Sequence, residues 1–105
     1  MTTKFNQLNP QQEELLELLQ EELAESIQAI CKVKRHGYES INPSMAEPIT
    51  NRRELEKELG HVMNALNLLI ERESLDMSNI LSSQFEKRDT VFQYLHHQDI
   101  QKAAP

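Results

Sequence analysis

Apolar residues in this chain return every three or four positions, with no run of strand-like alternation, and that period points to helices throughout. Leu16, Leu19, Leu23, Ile27 and Ile30 form one stripe, and Leu55, Leu59, Val62, Leu66 and Leu69 a second. Ile80, Leu81, Phe85, Val91, Phe92 and Leu95 supply a third. Only two glycines occur in the 105 residues. The expected fold is therefore all-α, with three long helices in a single domain spanning residues 1–105.

Punctuation sets the boundaries. Asn9 can cap a first helix, and Pro10 suits the first helical position because its missing N–H had no partner there. Glu13 and Glu14 favour the positive end of that helix. Lys32, Lys34, Arg35 and His36 load its last turns, and Gly37 stops it. A linker follows from Tyr38 to Thr50, carrying Pro43 and Pro48. It is long for a small bundle, which suggests a working loop. Asn51 with Glu54 three residues on reads as a capping box opening the second helix. Gly60 inside that helix suggests a close approach. The third helix is expected to start near Ser74 or Asp76 and to reach about His96, with frayed tails at 1–8 and 98–105.

Three amphipathic helices in so short a chain leave apolar surface uncovered. A second copy that completes a four-helix-type bundle is the expected remedy, as a homodimer or homotetramer. The net charge of −6 argues against a general nucleic-acid surface. No apolar run approaches the ~18 residues of a membrane span, and MTTKFNQLN lacks the apolar core of a signal peptide. The expected compartment is the cytoplasm. Cys31, the single cysteine, can form neither an internal disulfide nor a thiol metal site, and its helical setting suggests buried packing.

One charge pattern runs against helix economy. In QEELAESIQAICKVKRHG, Glu21, Glu22 and Glu25 crowd a single turn, although like charges at that spacing repel. The second helix offers Glu58 and, three residues later, His61. If the two helices pack antiparallel, these groups converge, and such a cluster is costly unless a cation neutralises it. Mg²⁺ or Mn²⁺ suits oxygen ligands. Glu13, Glu14 and Glu17 read as an ordinary solvated face, whereas Glu22, Glu25 and Glu58 border the apolar stripes.

EELAESIQAICKVKRHG followed by NRRELEKELGHVMNALNLLIE resembles the MazG-like nucleotide pyrophosphohydrolases, whose motif is EExxE on one helix and ExxD on the next. Glu21, Glu22 and Glu25 match the first half and Glu58 the start of the second, and the likeness runs on to FEKRDTVFQYLHH. The resemblance implies an all-α fold working as a dimer or a dimer of dimers. It also implies Mg²⁺-dependent hydrolysis of a nucleoside triphosphate to the monophosphate and pyrophosphate. Carried over by position, Glu22, Glu25 and Glu58 would be metal ligands, and Glu21 a ligand or the group orienting the attacking water. On the same resemblance, Glu21 and Glu22 would form the catalytic pair.

The chain departs from the motif at His61, which stands where the family has Asp. His61 binds the metal through a ring nitrogen, or Asn64 supplies an oxygen instead, or the site is weakened and the chain binds nucleotide or a protein partner without turnover. Phosphoribosyl-ATP pyrophosphohydrolase is a neighbouring enzyme reading. A di-iron carboxylate protein is another, because Glu58-x-x-His61 has the spacing such bundles use. Lys32, Arg35, Lys87 and Arg88 are the candidate phosphate-binding groups, set against a plain reading as surface charge. Of the aromatics Tyr38, Phe85, Phe92 and Tyr94, both Phe residues are assigned to core packing.

Overall fold

The computed structural model describes residues 5–98 and is all-helical among them. The expected tails fall partly on 1–4 and 99–105, which lie outside the described residues. Helix α1 spans Pro10–His36, α2 Asn51–Glu73 and α3 Met77–Thr90, and a single 3-10 turn, Val91–Tyr94, ends the sequence of elements. Contacts divide the chain into two compact units that meet in sequence between Ser74 and Leu75. None of the helices is long and apolar enough to cross a membrane, among the described residues.

The first unit is a hairpin of α1 and α2. Asn9 caps α1 by a full capping box: its Oδ1 accepts from Gln12 N at 2.8 Å, and Gln12 Oε1 accepts from Asn9 N at 2.9 Å. At the far end Gly37 takes φ 90°, a value that glycine adopts without strain, and its N–H closes on Val33 O at 2.7 Å. Helix α2 begins at Asn51 as expected, but its cap is Thr50, whose hydroxyl accepts from Arg53 N at 3.1 Å. The capping box assigned to Asn51 and Glu54 therefore does not form; Glu54 turns its carboxylate to the first helix's side of the hairpin, among cavity walls that α1 shares. The helices run antiparallel. Gln12 Nε2 near the start of α1 donates to Glu73 Oε1 at the end of α2 at 2.8 Å, and Asn51 Nδ2 at the start of α2 donates to Gly37 O at 3.0 Å.

The seam between them is made of small side chains. Ser26 and Ala29 of α1, and Glu58, Ala65 and Leu69 of α2, are the buried residues. The expected stripe of α1 lies one position off this seam and stays largely open, with Leu23 46% and Ile27 61% exposed, whereas that of α2 reaches the seam at Leu69, is half-buried at Leu55, Val62 and Leu66, and is open at Leu59. Two helices can each bury only one narrow face against the other, so the remainder of a broad apolar stripe faces outward. Cys31 is exposed, not packed as its helical setting suggested.

The second unit holds α3. Asp76 caps it, accepting from Ser78 N at 2.8 Å, Ser78 Oγ at 2.6 Å and Asn79 N at 3.4 Å; these bonds hold its carboxyl below the ordinary value. Ser74, the other expected start, instead closes α2 in the left-handed conformation at φ 52°. The third helix stops at Thr90, short of the expected His96. Thr90 and Val91 are β-branched neighbours, and Thr90 Oγ1 donates back to Glu86 O at 3.2 Å and Lys87 O at 3.4 Å. Such back-bonding loosens the helical ladder, and the chain tightens into the 3-10 turn. Phe85 and Phe92, expected in a core, are exposed.

Gly60 has nothing within 4 Å of the position a Cβ would take, and its φ is not one that disfavours a side chain. The close approach suggested by the sequence does not occur among the described residues. Gly60→Ala is expected to stabilise the protein by about 0.5–1 kcal/mol, through helix propensity and a less free unfolded chain, as read by urea unfolding. A loss of stability would mean that a second molecule packs against Gly60.

Candidate functional site

The antiparallel seam sets the two half-motifs opposite each other. Glu22 and Glu25 sit one turn apart on α1, Glu58 and His61 one turn apart on α2, and each offers one ligand atom within 4.8 Å of all the others. His61 Nδ1 lies 3.4 Å from Glu22 Oε2 and 3.8 Å from Glu58 Oε1. Glu58 is only 6% exposed, yet its Oε2 has no hydrogen-bond partner, and neither does the buried Glu22 Oε2. The His61–Glu22 approach is thus a close contact without hydrogen-bond geometry.

The Glu25 carboxyl is raised above its ordinary value. The first cause is the hydrogen bond it makes to Glu58, followed by burial and by the charge of Glu58; His61 and Lys57 act the other way. The neighbouring Glu58 carboxyl thus makes ionisation of Glu25 less favourable than in water.

Octahedral Mg²⁺ at bond lengths near 2.1 Å has ligand atoms about 3 to 4.2 Å apart. A donor set confined within 4.8 Å needs only slight contraction to reach that spacing. Three carboxylates and one imidazole, with two buried oxygens lacking partners, fit a divalent cation.

Two further residues belong here that the motif did not flag. Glu54, one turn before Glu58, carries a buried Oε2 without a partner while its Oε1 lies 3.6 Å from Lys57 Nζ. Ser26, one turn after Glu22, is buried with an unpartnered hydroxyl. Their i,i+4 spacing from motif residues was the available signal. Glu25, Gln28, Lys32, Glu54 and Glu58 line a polar cavity of about 170 Å³ beside the cluster. Lys32, a candidate phosphate-binding group, therefore lies beside the carboxylates. Glu21 is exposed and outside the group of four, and Asn64 is exposed on α2. Arg35 lies one turn beyond Lys32 and lines a different cavity. Lys87 and Arg88 lie in the last turn of α3, in the second unit, where they complement the negative helix end.

No family model, curated protein or solved structure matches the chain.

The raised Glu25 carboxyl has a defined consequence. Between the ordinary carboxylate value and the raised one, the folded chain holds a proton that the unfolded chain has released. Without metal, this pair's contribution to stability therefore falls as pH rises through that window and stays lost above it. Glu25→Gln is expected to raise the melting temperature in EDTA at pH 7, and the gain is expected to close below about pH 4. Calorimetric scans at the two pH values check it; a lower melting temperature at pH 7 would contradict the repulsion.

Proposed function

We propose that the chain is a metal-dependent nucleoside triphosphate pyrophosphohydrolase, converting a (deoxy)nucleoside triphosphate to the monophosphate and pyrophosphate. The observation that carries this reading is the convergence of Glu22, Glu25, Glu58 and His61, the matching positions of two half-motifs, around buried oxygens without partners. Glu22, Glu25 and Glu58 hold the cation, with His61 as a nitrogen ligand. A bound Mg²⁺ or Mn²⁺ would shield the triphosphate charge and lower the pKa of its water.

The protein's own groups do the rest. Lys32, at the edge of the carboxylate cavity, draws an anionic substrate into a region otherwise rich in negative charge. Glu21 and Glu22, in the first half-motif, orient water and receive its proton as oxygen adds to the α-phosphorus. The bond from that phosphorus to the bridging oxygen breaks, and the bridging oxygen leaves with the pyrophosphate. Substrate binding involves Lys32 and Arg35 of the first unit; Lys87 and Arg88 join them if the assembled protein presents α3 to a site.

Pyrophosphate release from a panel of nucleoside triphosphates, with Mg²⁺ and with Mn²⁺, tests the reading directly. Glu58→Gln is expected to reduce turnover by at least about a hundredfold, since the variant keeps the shape but loses a charged ligand. Because imidazole suits softer ions than Mg²⁺, Mn²⁺ should support the wild type better, and His61→Asp should raise the Mg²⁺-supported rate. An unchanged rate in His61→Asp would take His61 away from the metal. One observation also favours a second reading: a nitrogen donor among three carboxylates is a donor set that iron accepts, and bound iron with visible absorbance would support a di-iron carboxylate protein instead.

The active form is proposed to be a homodimer or homotetramer. Ile27 and Met63 of the first unit are more than 60% exposed, and Leu81 and Phe85 of the second are also open, so both units carry apolar surface in need of cover. Light scattering at micromolar concentration is expected to give two or four times the chain mass. A monomer would contradict it.

A further inference from the structure

Four buried side-chain atoms lack a hydrogen-bond partner among the described residues, and all four lie on α1 or α2. Three are carboxylate oxygens, of Glu22, Glu54 and Glu58, which only accept while ionised. The fourth is the hydroxyl of Ser26, the one group of the four that can donate. Three acceptors and one donor are thus left over on the same pair of helices.

Packing does not explain the hydroxyl. Ser26 is 5% exposed, and the seam residues Ala29 and Ala65 are buried too, with no polar side-chain atom. Alanine at 26 would allow the same close approach of the helices. A serine inside a helix can return its hydroxyl to the carbonyl one turn back, yet Ser26 makes no such bond. A buried hydroxyl without a partner is destabilising relative to a methyl group. The group therefore calls for an acceptor that the metal-free chain does not supply.

Register selects that acceptor. Gln12 lies against Glu73 and Glu22 against His61, so the antiparallel helices set Ser26 level with Glu58. Ser26 and Glu58 are also the two buried polar residues of the seam. Of the other acceptors, Glu22 Oε2 faces the imidazole, 3.4 Å from His61 Nδ1, and Glu54 stands one turn away from Glu58 with Lys57 beside it. Glu58 approaches His61 with Oε1, at 3.8 Å, and Oε2 is its oxygen without a partner. The Ser26 hydroxyl changes direction by rotation about one bond, between staggered positions. Carboxylates that ligate a metal are in turn hydrogen-bonded, which fixes the oxygen that faces the ion.

We propose that Ser26 is a positioning residue of the cation site: its hydroxyl donates to Glu58 Oε2 and so holds Glu58 Oε1 toward the other ligand atoms of the cluster. The proposal rests on the cation-binding part of the pyrophosphohydrolase reading and not on hydrolysis.

Titration calorimetry with Mn²⁺ at pH 7 tests it without turnover. The wild type is expected to bind, and Ser26→Ala to bind about tenfold more weakly, the loss expected when the hydrogen bond behind a ligand is removed. Ser26→Cys keeps the size of the side chain but offers only a weak donor, and is expected to lose affinity as well. In EDTA, Ser26→Ala is expected to melt no lower than the wild type, because no partner is lost. Unchanged Mn²⁺ affinity in Ser26→Ala overturns the inference and leaves the cation site standing. Wild-type affinity in Ser26→Cys also overturns it, by reducing Ser26 to a filler of volume, and so does a lower melting temperature of Ser26→Ala in EDTA, which would make the hydroxyl a support of the fold. Failure of the wild type to bind Mn²⁺ removes the cation site and the inference with it.

Discussion

The close antiparallel packing of α1 on α2 is the constraint from which the site follows. Ser26, Ala29 and Ala65 are small enough to let the two helices approach, and Ala65 is left 1% exposed. That approach fixes the register: residues near 22 face residues near 61, as the Glu22–His61 contact at 3.4 Å records. With the register fixed, Glu58 must enter the seam. A carboxylate there is destabilising unless something meets its oxygens. Leucine in its place would pack the hairpin better by the same geometry, so the position is not explained by stability. A buried acid kept at a helix seam points to a ligand of opposite charge.

The same packing explains the linker. Thirteen residues, Tyr38 to Thr50, join helix ends that the hairpin has already brought close together. Asn51 spans the gap, with its side chain on Gly37 O and its N–H on Ser40 O, and Arg52 adds its N–H on Tyr38 O. The loop's length is therefore not needed for the connection. Its extra residues rise beside Lys32 and Arg35 and enclose space there. The sequence showed a long loop and two basic residues; it could not show that they share a wall, because that depends on which hydrogen bonds close the loop's base.

Local signals were legible and packing signals less so. Asn9-Pro10 and Gly37 mark the ends of α1 because capping is decided by the residues at hand. The meeting of Glu22, Glu25, Glu58 and His61 was also readable, since one-turn spacings on two antiparallel helices leave little freedom. On α2 the expected stripe meets the core at Leu69, but on α1 the core was misplaced by one helical position. A stripe of Leu and Ile was taken as the buried face, yet Ser26 and Ala29 lie at the seam and Ile27 does not. Periodicity finds an apolar face but does not say whether the partner is in the same chain. Cys31 and Phe85 were misjudged for the same reason: a helical setting was taken to imply cover. The early end of α3 depended on Thr90 bonding back to its own helix, a competition that period alone does not register.

His61 gives the cluster a different balance from a set of four carboxylates. With a neutral ring, three negative charges remain among the four donors, so the metal-free seam carries less repulsion. The same change lowers the field that attracts a dication and replaces a hard donor by a softer one. Glu54 offsets part of that loss. Its buried Oε2 sits one turn from Glu58, on the wall of the same cavity, and adds negative charge beyond the motif. Lys57, 3.6 Å from Glu54 and lowering the Glu25 value, holds part of that charge in check while no cation is bound. The charge of the seam is thus distributed over six side chains, and the Glu54–Lys57 pair balances part of the negative charge beside Glu58.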